Sequence, residues 1–161
     1  MAPGDRLVEQ LSKLRSSRTL IVGIGNTLKA DDGIGPLLCE QLSKGHISAG
    51  TIDAGTVPEN YIQRIIRMAP ENLLLVDAID FGAQPGTINI FGADELGSAG
   101  ISTHSVSPLL FLDMVRQAIN VKIYVIGVQP ASVTLGEGLG VEASSALESL
   151  TRLFLELFPP E

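Results

Sequence analysis

The sequence predicts an α/β three-layer sandwich, in which a twisted, mostly parallel five-stranded sheet carries helices on both faces. Three observations point to it. Short β-rich apolar runs alternate with segments whose apolar residues recur at helical spacing, the pattern of strands joined by crossover helices. Two of the runs, Thr19 to Ile24 and Leu73 to Ala78, are almost unbroken in apolar character, as strands buried on both faces of a sheet are. The connection before Thr87 to Phe91 is too short for a helix, so that run belongs to an antiparallel edge strand.

Along the chain, Leu7, Val8, Leu11 and Leu14 fall at helical spacing and predict a short amphipathic helix packed outside the core, within residues 1–17. Thr19 to Ile24 is the first strand. A loop from Gly25 to Gly35 leads to Pro36, which suits the first turn of a helix containing Leu37, Leu38 and Leu42. Thr51 and Ile52 centre a second strand, and Pro58 starts a helix with Tyr61, Ile62, Ile65 and Ile66 inward. Leu73 to Ala78 is the third strand. The turn-rich stretch from Phe81 to Gly86 separates it from the fourth, Thr87 to Phe91. A helix over Ser107 to Ala118, a strand over Lys122 to Val128 and a helix over Val141 to Phe158 complete the order. In the last helix Leu147, Leu150, Phe154 and Leu157 share one side.

A chain of 161 residues with 45% hydrophobic and 18% charged content suits one folded unit spanning 1–161. A formal charge of −7 argues against a nucleic-acid partner or an anionic membrane surface. No run approaches the roughly 18 apolar residues of a membrane span. Met1 to Ser17 carries Asp5, Arg6, Glu9, Lys13 and Arg15 among its leucines, unlike a signal peptide, so a cytoplasmic location is expected. With Cys39 as the single cysteine, an intrachain disulfide and a cysteine-based zinc cluster are excluded, and any metal must use oxygen or imidazole ligands.

Ligands of open α/β sheets sit outside the carboxyl ends of the strands. The polar residues delivered there are Asp31 and Asp32 after the first strand, Asp53 after the second, Asp77 and Asp80 after the third, and His104 from the loop before a helix. Asp31 and Asp32 have an ordinary reading as turn or capping residues. Asp77 resists it, because a carboxylate closing a buried strand incurs desolvation unless it meets a cation or strong donors. Asp32, Asp77 and His104 together suit a divalent transition metal with open positions, although this donor set does not choose between nickel, copper and zinc. His46, in a turn after Lys44-Gly45, and Cys39, beside Leu37 and Leu38 on a helix, read as structural.

Two rival motifs fail on the residues. Gly23-Ile24-Gly25, with Asp53 ending the next strand, imitates a dinucleotide fingerprint, but Leu28 stands where its third glycine belongs, and two carboxylates would face the pyrophosphate. Asp53-Ala54-Gly55-Thr56 is faintly similar to an aspartic-protease loop, yet this helix-rich chain has no second copy of it.

Four ordered segments resemble one family, the endopeptidases that trim the C-terminus of the NiFe-hydrogenase large subunit, and most closely the hydrogenase-3 branch. They are GIGNTLKADDGIG from Gly23 to Gly35, IDAGTVPEN from Ile52 to Asn60, VDAIDFG from Val76 to Gly82, and STHS from Ser102 to Ser105. The resemblance spans Thr19 to Gln129 and implies an α/β sandwich. It places nickel recognition on Asp32, Asp77 and His104, and Asp32 and Asp77 are the candidate catalytic carboxylates, the choice of general base between them left open by the sequence. The nickel it implies is carried by the substrate, a large-subunit precursor, rather than held permanently, so the free enzyme should bind metal weakly. Ala54 departs from the glycine frequent in relatives and questions the geometry of its loop. A nickel chaperone that does not cut and a nucleotide-binding module are the alternatives on the same framework.

Overall fold

The computed structural model describes residues 3–96, 101–103 and 108–161. Its strands are β1 (Thr19–Ile24), β2 (Gly50–Gly55), β3 (Asn72–Asp80), β4 (Ile88–Gly92), β5 (Ser102–Thr103) and β6 (Lys122–Val128). Its helices are α1 (Pro3–Ser12), α2 (Ile34–Lys44), α3 (Ile62–Met68), α4 (Pro108–Ala118) and α5 (Val141–Leu157). The sheet order is β2-β1-β3-β6-β4, with β1, β2, β3 and β6 parallel and β4 antiparallel to β6. The five-stranded, mostly parallel sheet and its antiparallel edge therefore stand as the sequence predicts.

Two apolar cores flank this sheet. Ile21, Leu74, Val76 and Ile126 face α1, α2 and α5, whereas Leu20, Val22, Leu75 and Val125 face α3 and α4. Alternate residues of one strand point to opposite faces, so an unbroken apolar run supplies both cores at once. Every residue of β1 is buried, which is why its run shows no polar alternation.

Three details differ from the sequence reading. Helix α1 does more than lie outside: its Leu7 and Leu11, with Leu14 in the turn just beyond it, are buried in the first core, while Val8 is exposed. β3 runs on to Asp80, and a two-residue strand, β5, pairs antiparallel with its end through Ile79↔Thr103 and Asp80↔Ser102. Two residues give too little pattern to read from sequence. The loop after β1 also contains a 3-10 turn, Ala30–Gly33, which carries both aspartates.

Candidate active site

The carboxyl ends of β1 and β3 are built around close backbone contact. A β-carbon on Gly35 would lie 2.4 Å from the Val76 carbonyl oxygen, and one on Gly25 would lie 1.9 Å from that of Asp32. Only glycine permits these approaches, which seat the first turn of α2 on the sheet and fold the 3-10 turn back over β1. The glycines of Gly23-Ile24-Gly25 thus serve internal packing rather than a phosphate. Because Gly23 pairs with Val76, the loop leaves β1 alongside Asp77.

Asp32 is not an exposed turn residue: it is 3% exposed. Nor does it cap α2, whose N-cap is Gly33 with no side-chain hydrogen bond. Its Oδ2 accepts the Asn26 N–H at 2.9 Å, and its Oδ1 is buried with no hydrogen-bond partner among the described residues. A buried carboxylate oxygen without a donor is costly, and an approaching cation would relieve that cost.

Asp77 is 1% exposed inside β3, where its backbone pairs with Gly127 of β6. Gln129, which the sequence reading did not single out, organises the turn that follows. Its Oε1 accepts the Phe81 and Ala83 N–H groups at 2.9 and 3.2 Å, and its Nε2 donates to Asp80 Oδ1 at 3.1 Å. The available signal was a glutamine placed directly after the apolar run Lys122 to Val128. Asp80 also accepts the Gly82 N–H, so its carboxylate belongs to this turn. His104 lies outside the described residues; Thr103, before it in the chain, pairs with Ile79, two residues beyond Asp77.

The remaining candidates have structural work. Asp31 is buried, and its carboxylate accepts N–H bonds from Ala131 at 2.7 Å, Ser132 at 3.4 Å and Gly140 at 2.8 Å. It holds a distant loop rather than its own helix. Asp53 is exposed on edge strand β2 and accepts the Gly55 N–H at 3.0 Å. Ala54 fits without strain, since the positive φ in this loop falls on Gly55, not on it. His46 has φ +54° in the turn after α2, at the other end of the sheet from the aspartates. Cys39 is buried and its thiol is pushed up to about 12, first by desolvation and, among the lesser causes, by the Asp53 charge. It is an inert thiol, as its helical neighbours suggested.

Among the described residues no three metal-ligating side chains converge, and no helix is long and apolar enough to cross a membrane. What the arrangement offers is two buried carboxylates, Asp32 on the 3-10 turn after β1 and Asp77 within the neighbouring strand β3, and the Asp32 Oδ1 has no hydrogen-bond donor among the described residues.

Comparison with known proteins gives a consistent picture. The sequence model of the hydrogenase maturation protease family matches residues 37–157. The hydrogenase 3 maturation protease of Escherichia coli K12 is 37% identical over 115 residues, covering 69% of this chain and 72% of the relative. The crystal structure of the NiFe-hydrogenase maturation protease HycI from Thermococcus kodakarensis KOD1 is similar with a TM-score of 0.82 at 28% identity, covering 92% of this chain and 97% of that one. The solution structure of the endopeptidase HycI from Escherichia coli has a TM-score of 0.74 at 28% identity, with 84% and 87% covered.

Proposed function

Since the chain belongs to the hydrogenase maturation protease family and is a peptidase by that membership, we propose that it removes the C-terminal extension of a NiFe-hydrogenase large-subunit precursor, recognising nickel already bound there. The observation that carries this reading is the buried Oδ1 of Asp32, without a partner among the described residues, on a 3-10 turn that packs against β3, the strand that bears Asp77. A carboxylate pair in a desolvated position suits a hard or borderline cation and resists an anionic ligand.

In this reading the nickel is substrate, already held by the precursor, and Asp32, Asp77 and His104 complete its coordination. Binding the metal fixes the neighbouring peptide bond, so recognition and positioning are one event. Hydrolysis then needs a water attacking the scissile carbonyl carbon, with the C–N bond breaking and the leaving amine protonated. One carboxylate of the aspartate pair takes the proton of that water. A three-ligand set from separate segments is incomplete without the precursor's own ligands, so the free enzyme holds metal weakly. The cytoplasm is the proposed setting of this reaction.

The test is to incubate the protein with nickel-loaded and nickel-free precursor and to measure the mass of the precursor's C-terminal fragment. Loss of a short peptide only from the nickel-loaded form is the expected result. An unchanged mass with nickel moved to the protein would establish a chaperone instead.

A further inference from the structure

The segment from Gln129 to Gly140 has no regular secondary structure, yet it is densely bonded to the loop that bears the aspartates. The Ala30 N–H donates to the Glu137 carbonyl at 2.9 Å, the Asp31 N–H to the Ser132 carbonyl at 3.0 Å, and the Gly136 N–H to the Leu28 carbonyl at 2.7 Å. The Asp31 carboxylate closes the network from beneath by taking the three N–H groups of Ala131, Ser132 and Gly140. Two loops are thereby fixed as one body.

That body presents the wrong surface for water. Leu28 is 65% exposed, Leu135 67% and Val141 81%, the three most exposed large hydrophobic side chains among the described residues. Leu28 and Leu135 flank the Gly136 bond, and Val141 follows Gly140, so all three belong to the unit that Asp31 staples. Single exposed leucines are ordinary, but three large apolar side chains carried by one hydrogen-bonded unit point to a surface that a partner covers.

The platform is also registered to the candidate active site. Asp32 Oδ2 accepts the Asn26 N–H, Asn26 Oδ1 accepts the Leu28 N–H at 2.9 Å, and the Leu28 carbonyl accepts the Gly136 N–H. This chain of bonds runs from the proposed metal-binding carboxylate to the backbone of Leu28 and of Gly136, which follows Leu135. Whatever touches Leu28 and Leu135 is therefore held at a fixed offset from Asp32.

We infer that Leu28, Leu135 and Val141 form a docking shelf for an apolar patch on the folded body of the precursor, and that Asp31 is its positioning residue. The inference rests on the reading of precursor processing given above. A metal site offers only a few bonds, so tight and selective capture of a large protein needs apolar area beside it. The shelf supplies that area without entering the chemistry.

The test uses the full chain, nickel-loaded precursor and the exposed substitutions Leu28→Ser and Leu135→Ser. Each should weaken precursor binding and raise KM about tenfold or more, as expected for losing one buried leucine. The kcat at saturating precursor and the thermal unfolding midpoint should stay unchanged. Asp31→Asn should raise KM likewise and speed hydrogen exchange at Ala131, Ser132 and Gly140. Unchanged precursor affinity in both leucine variants overturns the shelf, as does a fall in kcat with KM unaltered. A wild-type dimer that these substitutions dissociate also overturns it, because a second copy would then be the occupant. Precursor binding is titrated separately from cleavage, so wild-type protein that binds without cutting refutes the peptidase while the same titration still decides the shelf. A wild type that binds no precursor refutes both.

Discussion

At the scale of single residues, the aspartate pair in Asp31-Asp32 divides its labour by hydrogen bonding. Asp31 is saturated with backbone donors, whereas Asp32 keeps one buried oxygen without a partner among the described residues. Asp32→Asn removes a buried charge but retains volume and an acceptor for the Asn26 N–H. We expect processing to fall by at least about a hundredfold, while denaturant titration shows stability equal to or above that of the wild type. A large loss of stability would mean that the carboxylate is structural. Cys39 provides a pH prediction. The fold raises its thiol from 9.0 to about 12, so the native state favours the protonated form. Its contribution is complete below pH 9.0 and disappears as pH rises through about 12. Unfolding curves of wild type and Cys39→Ala should accordingly converge or cross across that window, and the native thiol should resist alkylation at neutral pH.

At the scale of elements, the site depends on how closely α2 approaches the sheet. Gly35→Ala would drive a methyl group onto the Val76 and Ile24 backbone, where nothing flexible can yield. A loss of about 1–3 kcal/mol or more is expected by chemical denaturation, with processing reduced through displaced Asp32. Helix α1 tests a different point. Leu11 is fully buried in the core shared by α2 and α5, so Leu11→Ala should cost about 2–5 kcal/mol, although it lies far along the chain from either aspartate. A negligible cost would show that α1 is an appendage. The spacing of Leu7, Leu11 and Leu14 disclosed this helix, but spacing alone did not disclose that its leucines complete a core rather than coat one.

At the scale of the whole molecule, the parallel strands β1, β3 and β6 lie inside the sheet, with β2 and β4 at its edges. Native-state hydrogen exchange should therefore be slowest in β1, β3 and β6 and faster in β2 and β4. Uniform protection would contradict this layering. The order of elements, the antiparallel edge and the burial of Asp77 were legible in the sequence because apolar run length and turn residues report directly on local backbone state and burial. Membership of the peptidase family was legible for a similar reason: its four segments are contiguous in the chain. The burial of Asp32, the clamp made by Gln129 and the stapling of residues 131–140 by Asp31 were not legible. Each depends on groups roughly fifty to a hundred positions apart, brought together only when strands pair and loops close. Local patterning determined which segments became strands and helices and which segments carried the carboxylates. Tertiary structure decided which carboxylate oxygen was left open and which leucines stayed in water, since hydrogen-bond partners and solvent exposure are properties of the packed chain.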